Sequence, residues 1–294
     1  MDTLWMYLGF EFVQLALIVG VLIAVSSSCL GVTLVLKRYS MIGDGLSHVA
    51  FGAMCVGAVF NVTNDLYVVM PITVLTAVLL LCVGNKAKNK GDSTIAMISV
   101  GTLAFGYLIV NRFSTSANVS GDVCSSLFGS TSILTLTQAD MWICIVMSVV
   151  VALFFILCYN KIFAVTFDDN FMRASGSKTG LWNLAIAVIT AIVVSISMRL
   201  VGSLLITALI IFPALSAMRL FKSYKAVIVF SVCFGAVTSF LGIILSIVFE
   251  TPVGSTIVVT DVISYLICYV VGQILNLRKD VLKEEKVKGE EIKC

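Results

Sequence analysis

Nine apolar runs, each bounded by polar or glycine-containing segments, set the layout of this chain. They fall at about residues 10–36, 41–60, 67–84, 93–110, 140–159, 180–198, 200–218, 226–249 and 254–277. An α-helix needs roughly 20 apolar residues to cross a hydrocarbon core about 30 Å thick. In lipid, only helices and closed barrels satisfy every backbone polar group. The pattern therefore predicts an all-α, polytopic transmembrane helix bundle of about nine spans, a single membrane domain over residues 1–277. Eight spans remain if the first run, or the closely joined sixth and seventh, is not a full crossing. A tight turn is expected at Arg199 and its neighbours, between those two. No internal repeat is visible.

Composition agrees with this layout. The 294 residues are 60% hydrophobic and 12% charged, with a mean hydropathy of +1.09, more apolar surface than one soluble core hides. The first run has no basic leader and no A-x-A site, so it reads as a retained helix and not a cleaved signal. The nine cysteines are scattered without a C-x-x-C pair and read as small buried hydrophobes; Cys124 alone falls in a polar loop. No basic patch interleaves with aromatics, so nucleic acid is not an expected partner.

The lysines and arginines orient the bundle. With nine spans and the N-terminus outside, the outer side keeps only Arg112 and Arg199, and the other 17 of the 19 basic residues face the cytoplasm. That asymmetry is the positive-inside signal and puts the C-terminus in the cytoplasm. Residues 278–294 form a charged cytoplasmic tail of six basic and five acidic residues. It is expected to be a solvated helix or a disordered end and is assigned no function.

Candidate chemistry concentrates between Lys37 and Gly57. The only histidine of the protein, His48, follows Asp44 by four residues inside the second run, which places both on one helical face. Counted from Lys37 and Arg38 at the headgroups, His48 lies roughly 15 Å inward, near the midplane. Ionisable groups at that depth are expensive and usually mark an ion path. A carboxylate with a neutral imidazole suits Mn²⁺, Zn²⁺ or Fe²⁺. Two ligands are too few to strip such an ion of water, so two copies of the chain are the simplest way to complete the shell. Two carboxylates would also neutralise the ion's two charges. Gly43, Gly45 and Gly52 would let the facing helices approach closely. The alternative is that Asp44 and His48 hydrogen-bond to neighbouring helices and fix packing.

Other polar features carry less. The loop at 167–179 can start a short helix, with Asp168 or Asp169 as N-cap and Gly176 as stop. Its end, S-G-S-K-T, lacks the spacing of a phosphate loop because Ser177 precedes Lys178. No nucleotide-binding motif is readable, and no enzyme activity is expected; one histidine also excludes H-E-x-x-H chemistry. Residues 125–134 are amphipathic enough for a surface helix or an ordinary loop. Asp261, about seven residues into the ninth run, is a candidate for lining the pathway or for a packing hydrogen bond. Pro213 is expected to kink the seventh run.

Four stretches together resemble the membrane permease subunit of ABC-type zinc, manganese and iron transporters: S-M-I-G-D-G-L-S-H at 40–48, F-D-D-N-F-M-R-A-S-G at 167–176, V-G-S-L-L-I-T-A-L-I-I-F-P-A-L-S-A at 201–217, and P-V-G-S-T-I-V at 252–258. Gly52-Ala53 stands where that family often has Pro-Gly or Leu-Gly, and Asp261 is not expected from it. The resemblance implies a multi-pass permease of a prokaryotic cell membrane, part of an ATP-driven importer of divalent transition-metal ions (Mn²⁺, Zn²⁺ or Fe²⁺). No intrinsic cofactor is implied. The implied partners are a second permease copy, cytoplasmic ATP-binding subunits and an extracellular metal-binding solute-binding protein. Asp44 and His48 become ion ligands. Phe167, Asp168, Asp169, Phe171, Arg173, Ala174 and Gly176 become the helix that couples to the ATPase. Arg112 and Arg199 would belong to the surface that docks the binding protein. The competing expectation is a proton-coupled secondary metal-ion transporter in which Asp44 or Asp261 cycles a proton.

Overall fold

The computed structural model describes residues 9–39, 41–60, 62, 66–86, 91–113 and 136–291, with the side chains of 81–94 and 276–291 outside the description. The predicted surface segment at 125–134 and Cys124 lie outside the described residues.

The chain folds as helices joined by short connections: α1 (Glu11–Leu36), α2 (Met41–Val59), α3 (Leu66–Lys86), α4 (Gly91–Phe113), α5 (Gln138–Leu157), α6 (Tyr159–Phe167), α7 (Asp169–Ala174), α8 (Thr179–Val201), α9 (Ser203–Leu220), α10 (Tyr224–Phe249) and α11 (Val253–Glu291). Eight of these are long and apolar enough to cross a membrane. α3 adds a further apolar helix, described with its side chains over Leu66–Leu80 and continuing as helix to Lys86.

α1 is the axis of the bundle, packed against α5, α8, α9 and α10. It can be approached closely because its middle is small and polar. Ser26, Ser27, Ser28 and Thr33 are all buried, and small residues let helix backbones come together where apolar burial gives no net drive. The Ser28 hydroxyl donates to the Leu209 carbonyl of α9 at 3.4 Å, and Ser231 of α10 donates to the Ser28 carbonyl at 3.2 Å. At Gly31 the α9 backbone is closer still: an added Cβ would lie 2.1 Å from the Ile210 carbonyl oxygen. Large side chains such as Met97, Phe105, Val146, Leu153, Ile263 and Leu266 remain exposed on α4, α5 and α11, the lipid-facing surface expected of such a bundle.

The two ends differ. One end gathers Lys37, Lys161, Lys178, Lys222 and Lys225 around the close of α1 and the starts of α2, α8 and α10; it is called the basic end below. The opposite end is fastened by an ion pair. Thr137 and Asp140 form a capping box that starts α5, and the second Asp140 oxygen accepts from Arg199 at 2.8 Å.

Two boundaries differ from expectation. The turn between α8 and α9 falls at Gly202 alone, with φ 88° and ψ 161°, because only glycine adopts that backbone readily. Arg199 stays helical, held by Asp140. The polar stretch after α5 is also not a plain connection. The chain breaks at Cys158 and continues as α6, whose Ile162 and Val165 are buried while Lys161, Phe163 and Phe167 are exposed. That alternation of faces suits a helix lying at the membrane surface.

Candidate metal-ion site

Asp44 occupies the first turn of α2, where the unpaired backbone N–H groups favour a carboxylate. His48 stands one turn further on, with Nε2 3.5 Å from Asp44 Oδ1. Their side chains are 22% and 31% exposed for His48 and Asp44 respectively, so both remain reachable. Across from them, the Thr207 hydroxyl of α9 approaches Asp44 Oδ1 at 3.5 Å, and Ser47 spends its own hydroxyl on the Asp44 carbonyl at 2.8 Å. His48 Nδ1 is buried and makes no hydrogen bond. A ligand can therefore reach the imidazole only through Nε2, the atom beside the carboxylate. Two bonds of about 2.1 Å meeting at a tetrahedral ion place their donor atoms about 3.4 Å apart. The spacing of Nε2 and Oδ1 matches that bite. Among the described residues no group of three or more His, Cys, Asp or Glu comes together to hold an ion.

The glycines of α2 are already used within the chain. A Cβ at Gly43 would meet the Ile210 side chain of α9 at 2.8 Å. One at Gly45 would meet Ile95 of α4 at 2.7 Å, and one at Gly52 the Thr102 carbonyl oxygen of α4 at 2.8 Å. They seat α2 against α4 and α9 of its own bundle. α2 is continuous through Gly52-Ala53.

At the basic end, Asp168 caps α7 by accepting from the Phe171 backbone N–H at 2.9 Å, and Gly176 turns the chain away with φ 79°. Asp169 and Arg173 pair along the helix at 3.1 Å. Phe167, Phe171, Arg173 and Ala174 are exposed while Met172 is buried. The helix thus rests on one residue and presents aromatic and cationic side chains outward. Behind it, Tyr159, Phe163, Phe167 and Tyr224 stack in a continuous aromatic group with centroid spacings of 4.8 to 6.5 Å.

A family model described as the ABC 3 transport family matches residues 9–272. The chain belongs to that family. It is therefore a permease-type, multi-pass protein of the plasma membrane, and the resemblance seen in four stretches of sequence extends over the bundle. The chain is 27% identical over 263 residues to the manganese import system permease protein ScaB of Streptococcus gordonii, covering 90% of this chain and 92% of that protein. It is 24% identical over 278 residues to the manganese transport system membrane protein MntC of Listeria monocytogenes, covering 93% and 97%. Among solved structures, PsaBC from Streptococcus pneumoniae in complex with Fab superposes with a TM-score of 0.78 at 25% identity, covering 91% of this chain and 94% of that one.

Other features of this ABC 3 permease were less visible in its sequence. Thr207 lay inside a quoted stretch but carried no signal of its own until α9 brought it to Asp44. Arg199, placed beforehand on a docking surface, has an internal partner in Asp140. Asp261 is fully buried in α11, which packs on α9 and α10. It is not brought together with Asp44 and His48, since α2 and α11 meet chiefly through α9. Neither Asp261 oxygen has a hydrogen-bond partner; the neighbouring Thr238 hydroxyl is given to the Gly235 carbonyl at 3.3 Å. Lys37, just past the end of α1, bonds Asn183 of α8. Burial lowers its ammonium to about 8, against an upward pull from Asp169.

Proposed function

We propose that this ABC 3 permease forms the translocation path of an ATP-driven importer of divalent transition-metal ions, with manganese the first candidate. Asp44 and His48 are its ion ligands. The observation that carries this reading is the matched bite of His48 Nε2 and Asp44 Oδ1 on α2, in a chain whose relatives include permeases of manganese import systems. Zn²⁺ and Fe²⁺ suit the same donors, and affinity alone favours Zn²⁺ over Mn²⁺. Selection then rests on what a solute-binding protein delivers.

Two copies of the chain would place two carboxylates and two imidazoles around one ion, in a shell that is neutral overall. The basic end faces the cytoplasm under the positive-inside rule, with the N-terminus outside and the tail of α11 inside. α7, with Phe171 and Arg173 outward and Phe167 at the end of α6 beside it, docks on a cytoplasmic ATP-binding subunit that performs the hydrolysis. A proton-coupled secondary transporter has no observation in its favour.

The test is uptake of Mn²⁺ and Zn²⁺ into vesicles holding the permease, its ATP-binding subunits and its binding protein. Asp44→Ala and His48→Ala are expected to abolish ATP-dependent uptake while the complex still assembles. Uptake at the level of the unaltered protein in both variants would end the assignment.

A further inference from the structure

A line of polar contacts runs from α7 to the segment that begins α2. Arg173 pairs with Asp169 Oδ2 at 3.1 Å, and its Nε donates to Thr179 Oγ1 at 3.1 Å, fastening α7 to the start of α8. The other Asp169 oxygen accepts from Asn183 Nδ2 at 3.2 Å. Asn183 Oδ1 in turn accepts from the Lys37 ammonium. Lys37 caps α1, and only residues 38–40 separate it from Met41, the first residue of α2. That joint has little slack. Its Arg38 adopts φ 61°, and Tyr39 N–H donates back to the Leu34 carbonyl at 2.8 Å. Asp44 lies one turn beyond.

We propose that Lys37 is a positioning residue that ties α7 to the start of α2, so that displacement of α7 by the ATP-binding subunit reaches Asp44 and His48 through the Lys37–Asn183–Asp169 contacts. The proposal rests on the reading of α7 and of the Asp44/His48 pair given above.

The physical reason is the environment of the ammonium. Lys37 borders a void of only about 20 Å³ that it shares with Leu34, Ile42, Leu46 and Asn183, room for about one water. A half-buried cation that loses its partners keeps part of its desolvation cost uncompensated. When α7 shifts, keeping the contacts and moving the start of α2 is favoured over leaving Lys37 behind. Asp169 supplies the opposing charge, and its pairing with Arg173 keeps that carboxylate in place. The aromatic group of Tyr159, Phe163, Phe167 and Tyr224 joins the neighbouring α6 to α10, and Tyr224 shares a hydrogen bond with Thr33 of α1 at 3.2 Å. Lys37 is thus the contact that leads to the ion pair itself.

The test uses the assembled transporter in vesicles and reads metal ions taken up per ATP hydrolysed. Lys37→Met keeps the stem and removes the donors; it is expected to lower that ratio about tenfold, within the usual range of coupling between sites. Lys37→Arg is expected to restore most of it, and Lys222→Met, which removes an exposed charge at the same end, to leave it unchanged. Asn183→Leu breaks the same line from α8 and serves where Lys37→Met does not assemble. An unchanged ratio in Lys37→Met overturns the proposal. So does a parallel fall in uptake and hydrolysis that Lys37→Arg does not relieve. Asp44→Ala, run alongside, separates the two readings: if it too leaves uptake intact, the ion site is wrong; if it alone abolishes uptake, only the relay is wrong.

Discussion

Replacing Gly31 by alanine should loosen the joint between α1 and α9 and weaken the ion site with it. On the observed backbone the new Cβ would sit 2.1 Å from the Ile210 carbonyl oxygen, 2.9 Å from its carbon and 3.1 Å from its Cα. Carbon and oxygen settle at about 3.3 Å or more, so the two backbones must part by about 1 Å. Overfilling a packed interior costs about 1–3 kcal/mol. The Ser28 bond to the Leu209 carbonyl, already 3.4 Å long, would be lost as well, adding about 1 kcal/mol. Alanine returns about 1 kcal/mol through its better helix propensity. The net is a loss of about 2 kcal/mol, read as a drop of several degrees in the thermal midpoint of the purified permease. Gly101→Ala is the matched control, since a Cβ there meets nothing within 4 Å; it should be neutral or slightly stabilising. Thr207 lies one turn before Ile210, so the same separation would withdraw its hydroxyl from Asp44 and reduce uptake in the assembled transporter. Gly31→Ala melting together with Gly101→Ala would refute the close contact on which the estimate stands.

Three further outcomes follow from the polar contacts. Arg199→Gln leaves a mostly buried Asp140 without its cation and should destabilise the opposite end by about 1–3 kcal/mol, seen as a lower thermal midpoint; an unchanged midpoint would mean the pair contributes nothing. Asp261→Asn keeps the shape but removes a carboxylate that has no partner, so the midpoint should rise, and a lower one would reveal a missing counter-group. For Lys37, a folded value near 8 against an ordinary value near 10.5 means the unfolded chain binds more protons in between. Stability should therefore rise with pH from about 8 to about 10.5. Lys37→Met should flatten that rise in a pH series of unfolding midpoints, and an unaltered slope would contradict the partial burial of the ammonium.

Much of the bundle is legible in the chain because lipid leaves few choices: apolar length and lysine placement mark the spans, and Asp44 and His48 stand out as rare polar groups four apart. The caps of α7 are equally local, with Asp168 at one end and Gly176 at the other. What stays hidden depends on partners distant in sequence. Nothing near Arg199 announces Asp140, 59 residues earlier, and without that pair a basic residue between two apolar runs reads as a turn. Gly43, Gly45 and Gly52 signal close approach without saying to what; only the fold shows α4 and α9 taking those places. α6 was missed because Asn160 and Lys161 look like loop residues until its buried face is seen. Lys37 reads as a headgroup anchor, and its bond to Asn183 spans 146 residues.

The single-residue joint at Gly202 has a practical consequence. With no spare chain between them, α8 and α9 cannot slide independently, so α8 behaves as the handle and α9 as the blade of one tool. A spectroscopic label placed near the exposed Leu181 would report on the neighbourhood of Thr207 without touching it, whereas extra residues inserted after Gly202 should disconnect the signal and leave each helix intact.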